Sequence, residues 1–218
     1  MKKYFSYHLC PDQYVGKIAD LKNDNEEVKE DFPVRVNVFA GQTADVCMDF
    51  SSYDQIMILI LESPHQDEFD KKGNPIGPAN GDAGANIRDY ILEIFGNHYE
   101  DYHLVLMNPI PFQCSLGCHP QTYFRNKIFS KIWNNGGRSD FYGRFDELWK
   151  KLQDKSTVVV NACTAIKEKS NIQKILEEIT DRFILQLYHP SYNWCAQKGE
   201  LREKVKSAGL YKEKASEK

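Results

Sequence analysis

The 218-residue chain is 41% hydrophobic and 27% charged, with a formal net charge of −3; these are the proportions of one domain long enough to bury a core and hard to divide into two. No apolar run approaches the roughly 20 residues that a bilayer crossing needs. The start MKKYFSYHLC lacks the apolar stretch and small-residue cleavage site of a secretory signal. The expectation is a single domain over 1–218, soluble and cytoplasmic, with no membrane partner and with a Lys/Glu-rich tail at 212–218 that frays.

In chain order, VRVNVF (34–39) reads as an early strand and QIMILIL (55–61) as a strand buried on both faces. Behind Asp82 as N-cap, Ile87, Tyr90, Ile91, Ile94 and Phe95 recur at helical spacing. HLVLM (103–107) is the next buried strand. Asn134 to Arg138 reads as a turn, and Asp140 opens a helix carrying Phe141, Phe145, Leu148, Trp149 and Leu152. TVVV (157–160) follows, then a helix behind Thr164 with Ile166, Ile172, Ile175, Leu176 and Ile179, then FILQLY (183–188). Alternating strands and helices imply a doubly wound α/β fold, a three-layer α/β/α sandwich on a central, mainly parallel four-stranded sheet. Trp133, Trp149 and Trp194, with Phe124, Phe129 and Phe145, read as core aromatics.

Charge and cysteine are distributed unevenly. Residues 19–32 hold six acids and two lysines, whereas 122–151 hold seven Lys or Arg against three acids and 198–218 hold seven against four. This basic lean permits a nucleic-acid partner without requiring one, because charge runs of this size also form solvated helix faces. The six cysteines are spread along the chain and read as reduced thiols rather than a disulfide framework.

In a doubly wound fold, chemistry lies beyond the carboxyl ends of the strands. Polar, Pro-rich segments fall there: Glu62-Ser63-Pro64-His65-Gln66-Asp67, Asn108-Pro109-Ile110-Pro111, Asn161-Ala162-Cys163-Thr164 and His189-Pro190-Ser191-Tyr192. A carboxylate, a carboxamide and an imidazole therefore converge on one rim. Glu62, desolvated at a strand end, suits a base or an anion facing a developing cation. Asn108 presents donor and acceptor together, as reading a base edge requires, and His189 can donate to an anionic leaving group.

Taken in order, Glu62-Ser63-Pro64, Gly81-Asp82-Ala83-Gly84 at a helix start, the Asn108 segment and His189-Pro190-Ser191-Tyr192 resemble the motifs of the uracil-DNA glycosylase superfamily, nearest its family 4. The resemblance implies a uracil-DNA glycosylase-like fold and hydrolysis of an N-glycosidic bond in DNA after the nucleotide is flipped out, leaving an abasic site. It puts Glu62 where an acid orients water or stabilises the sugar cation, and His189 where an imidazole stabilises the departing base. Asn108 falls on the base-reading amide, with Ser63, Pro64, Ala79 and Asn80 around the base. Gly81 and Gly84 would offer N–H groups to a phosphate, Ser191 would add a hydroxyl contact, and Tyr192 stands where a side chain enters the duplex.

Two departures shape the expected substrate and cofactors. Leu61 replaces the usual glycine before Glu62, and Ala79 falls where an aromatic ring stacks on uracil, so a bulky or modified base is expected ahead of ordinary uracil. The early Cys-x-x-Cys of family 4 is absent and an iron–sulfur cluster needs four thiolates; the expectation is no metal and no cofactor. Cys114, Cys118 and His119, with His65 or His103, match no familiar zinc spacing. Asp67, Glu68 or Asp82 could stand in for Glu62. The sequence thus reads as a monomeric DNA glycosylase of base repair or of defence against phage with modified DNA. The alternatives are a non-catalytic nucleic-acid or nucleotide-binding protein on the same fold and a hydrolase of free nucleosides.

Overall fold

The computed structural model describes residues 9–10, 12–22, 42–43, 49–113, 128–163, 168–192 and 194–211. The expected strand at 34–39, Thr164 with its capping role, Phe124, the trio Cys114, Cys118 and His119, and the 212–218 tail lie outside these residues.

The four apolar runs form β3 (Gln55–Ile60), β4 (His103–Met107), β5 (Ser156–Asn161) and β6 (Ile184–Gln186), mutually parallel. Two further strands, β1 (Gln13–Lys17) and β2 (Gln42–Thr43), join antiparallel, giving one sheet in the order β2-β1-β4-β3-β5-β6. The sheet is therefore six-stranded rather than four-stranded. The added strands carry little sequence signal: β2 has two residues, and β1 is polar and interrupted at Gly16, where its register against β4 shifts.

Side chains alternate across the sheet. Met57, Leu59 and Leu61 share one face with Leu104, Leu106, Val158 and Val160. Ile56, Ile58 and Ile60 share the other with Val105, Met107 and Val159. The first face is covered by α1 (Asp82–Phe95) and α4 (Trp194–Ser207), the second by α2 (Arg138–Leu152) and α3 (Lys169–Ile179). Burial on both faces explains why these strands read as continuous apolar runs.

Helix starts differ from expectation. Asp82 is the first residue of α1 rather than its cap, a place taken by Gly81 at φ +77° with no capping side chain. The helix read behind Asp140 begins at Arg138 and continues from a wide helical turn, Trp133–Gly137, in which Asn135 and Gly136 leave helical dihedrals. A side chain at Gly137 would place its Cβ 2.6 Å from Ile110 Cδ1, so this turn packs directly on the loop after β4. Helix α4 has no counterpart in the sequence reading because only Trp194, Leu201 and Val205 of it are buried, too sparse a stripe to reveal its period.

Connection direction reverses at β3. The step from β3 to β4 crosses the first face through α1, whereas the step from β4 to β5 passes over β3 on the second face through α2. Loops leaving neighbouring strands for opposite faces open a crevice at their carboxyl ends, and β3 stands at its centre.

The second-face core depends on an aromatic row in which Phe145 lies 6.1 Å from Phe141 and 6.4 Å from Trp149, ring centre to ring centre, with no exposed surface. Phe145→Ala should cost about 3–5 kcal/mol of unfolding free energy in urea denaturation. A loss below about 1 kcal/mol would contradict this packing.

Candidate active site at the carboxyl rim of the sheet

The rim is built by backbone bonds that continue the ladder past the strand ends. Leu61 N–H donates to the Met107 carbonyl at 2.9 Å, and Ile110 N–H donates to the Glu62 carbonyl at 3.2 Å. Glu62 is 2% exposed, with Ser63 and Pro64 buried behind it. A short 3-10 turn, Gln66–Glu68, then leads into a loop closed by Ile76 N–H on the Glu68 carbonyl.

Glu68 is buried, and its carboxylate accepts from the backbone N–H groups of His65 and Ala79. Burial pushes this carboxyl well above the usual range, the two N–H groups pull it back, and Asp67 adds to the rise. Burial likewise pushes up the Cys10 thiol, with Glu68 and then Asp12 contributing, which places all three groups in one neighbourhood.

Ala79 lies in the core cluster of the α1 face with no exposed surface and φ +56°. Its contribution is therefore a backbone donor to Glu68, held in a conformation L-residues seldom adopt. Asn80 donates Nδ2 to the Gly77 carbonyl at 2.8 Å, which fixes the orientation of its amide. Among the described residues, Asn80 Oδ1, Asn108 Nδ2, Ser63 Oγ and Glu68 Oε2 are buried with no hydrogen-bond partner. Each such atom costs roughly 1–3 kcal/mol unless a ligand or water satisfies it. Buried orphans gathered on the loops after two adjacent strands mark a place for a polar ligand.

Asn108 follows β4 and is 2% exposed. Its N–H donates to Asp12 Oδ1 at 3.2 Å, and its carbonyl accepts from Arg144 Nη2 at 3.0 Å.

His189 stands after β6 in a turn whose carbonyls from Leu187 to Pro190 are each engaged. Leu187 accepts from Lys169 Nζ, Tyr188 from Trp194 Nε1, His189 from Tyr192 N–H and Pro190 from Asn86 Nδ2 of α1. Ser191 N–H lies 3.3 Å from His189 Nδ1 and Ser191 Oγ lies 2.8 Å from it. A backbone N–H can only donate, so Nδ1 accepts in this contact, which matches the tautomer that carries its proton on Nε2. Glu62 follows β3 and His189 follows β6 at the same end of the sheet, with β5 between, so their strands lie two spacings or about 10 Å apart.

The start of α1 departs from the expected phosphate site. Gly84 is buried within the first turn, and Asp67 Oδ2 lies 3.1 Å from the point a Gly81 Cβ would occupy. Asp67 also pairs with His65 Nδ1 at 3.0 Å. A carboxylate already faces this helix start, and a phosphate there meets repulsion. Asp82 is exposed on α1. At the opposite end of the sheet, His103 bonds the Tyr14 hydroxyl at 2.7 Å and packs on Tyr53, away from the rim. Tyr192 and Phe112 leave 62% and 37% of their surface exposed on the loops of β6 and β4.

The chain matches no model of a known protein family and no curated protein sequence. Asp12 and Arg144, which hold Asn108 in place, escaped sequence reasoning because they lie 132 positions apart and neither belongs to a local pattern.

The raised Glu68 carboxyl fixes the sign of a pH effect. Its proton is bound more tightly in the folded chain, so its contribution to stability is fullest below the ordinary value of 4.5 and is lost as pH climbs through the raised folded value. Glu68→Gln should therefore gain stability relative to the parent protein as pH rises from about 4.5 to 8, measured by urea denaturation at several pH values. A stability difference that stays constant over this range would contradict the assignment.

Proposed function

We propose that the chain is a DNA glycosylase that hydrolyses the N-glycosidic bond of a flipped-out base, with bulky or modified bases ahead of ordinary uracil. The observation that carries the reading is the set of buried, unpartnered polar atoms on the loops of β3 and β4, with Glu62 and His189 after strands that end at the same rim. Asn80 Oδ1 supplies an acceptor, Asn108 Nδ2 a donor and Ser63 Oγ a hydroxyl, the complement of a base edge.

Breaking the bond between C1′ and the base nitrogen leaves the electron pair on the base and positive charge on the sugar. The Glu62 carboxylate faces that cation and takes a proton from the attacking water as the new C–O bond forms. His189 donates from Nε2 to the oxygen where the base gathers negative charge. Ala79 is packed into the α1-face core, so a base with further substituents gains its contacts elsewhere in the crevice. Exposed Tyr192 and Phe112 on the rim loops suit stacking against opened DNA.

A second reading, hydrolysis of free nucleosides, is favoured by one observation: the Asp67 carboxylate at the start of α1 repels a phosphate there. Substrate form decides between the two. Incubated with oligonucleotides carrying uracil and bulky 5-substituted cytosines, the protein should generate abasic sites, and Glu62→Gln and His189→Ala should each slow release by about 10²–10⁴-fold. Release from monomers alone supports the second reading, and full activity in both variants would contradict each.

A further inference from the structure

We infer that the buried Asp12–Arg144 ion pair is a positioning device that sets Asn108 for base discrimination. The inference rests on the reading of Asn108 as the base-contacting amide. Among the described residues Asn108 Nδ2 is buried with no hydrogen-bond partner, so the backbone that carries it bears on where the amide stands. That backbone is held by groups from distant parts of the chain. Asp12 Oδ1 accepts from Asn108 N–H at 3.2 Å, while Arg144 Nη2 reaches the carbonyls of Asn108 at 3.0 Å and Pro109 at 3.2 Å. Pro109 has no N–H, and Ile110 N–H is taken by the Glu62 carbonyl. Each backbone polar group from Asn108 N–H to Ile110 N–H is thereby fixed, apart from the sheet ladder itself.

The guanidinium is used around its whole fork. Nη1 bonds Asp12 Oδ2, Nη2 spans the two carbonyls, and Nε bonds Asp140 Oδ2 at 2.8 Å. A lysine ammonium cannot reproduce this planar arrangement. Burial raises the Asp12 carboxyl while Arg144 opposes the rise, and the Asp12 side chain is 8% exposed. A buried pair of this kind is a weak source of net stability compared with apolar packing. What it supplies here is geometry: it ties the N-terminal segment, the middle of α2 and the loop after β4 to one point beside the unpartnered amide. Ile110, pressed on Gly137, closes the same loop from the α2 side.

The test uses the full chain with Arg144→Lys and Asp12→Asn. Three quantities are measured: the ratio of kcat/KM for the fastest-released base to that for a poorly released one, affinity for DNA with a tetrahydrofuran abasic analogue, and amide exchange at Asn108. The account expects the kcat/KM ratio to collapse at least tenfold and Asn108 exchange to quicken, with abasic-DNA affinity within twofold of the parent. A merely structural role would weaken base release and abasic-DNA binding together. A preserved ratio, a parallel loss of abasic-DNA affinity, or unfolding of both variants would overturn the inference while leaving the parent activity intact. A parent protein that releases no base from any oligonucleotide would instead overturn the reading beneath it.

Discussion

One backbone hydrogen bond, from Ile110 N–H to the Glu62 carbonyl, holds the loops after β3 and β4 together beyond the last ladder pair. It matters because these two loops leave for opposite faces of the sheet and would otherwise diverge at once. With them joined, Glu62 and Asn108 stay side by side at the centre of the crevice, and the unpartnered atoms of Ser63, Glu68 and Asn80 remain on the same rim. The imidazole side is fixed in another way. Four successive carbonyls, Leu187 to Pro190, are each engaged by a donor, so the His189 turn has little freedom left.

The rim carries polar groups at a cost to the fold. Buried hydroxyl, amide and carboxyl atoms without partners weaken a folded state, and an alanine at φ +56° adds backbone strain. Away from the rim, the apolar layers on both faces follow the local rules closely. Among the described residues, four of the seven buried unpartnered polar atoms lie on the loops after β3 and β4, the others on or at helices at Arg88, Glu168 and Gln197, and a ligand at the rim would complete what the four leave open. The Asp12–Arg144 pair fits this pattern, as a costly buried interaction placed where orientation counts more than stability.

Much of this was legible in the sequence, for physical reasons that also explain the gaps. Strands buried on both faces must be apolar throughout, so β3, β4, β5 and β6 stood out, and the polar residues after them marked the rim. Glu62, Asn108 and His189 stand just beyond those ends, where the sequence placed them. Strand β1 and the edge strand β2 are short and polar, and the buried stripe of α4 is sparse, so none of them had a period to read. The glycine cap of α1 and the carboxylate of Asp67 beside it depend on how the loop after β3 folds back. Likewise, nothing local could show that Asn80 Oδ1 lacks a partner or that Arg144 reaches Asn108; both follow from contacts between residues far apart in the chain.

The decisive measurement is a crystal structure of the protein with DNA bearing a 2′-fluoro nucleotide at the target position, since fluorine disfavours the sugar cation and holds the bond intact. The account requires the extruded base to sit within hydrogen-bond distance of Asn108 Nδ2 and Asn80 Oδ1, with Glu62 and His189 on opposite sides of its glycosidic bond. A base bound away from the carboxyl rim, with those amide atoms still unsatisfied, would contradict it.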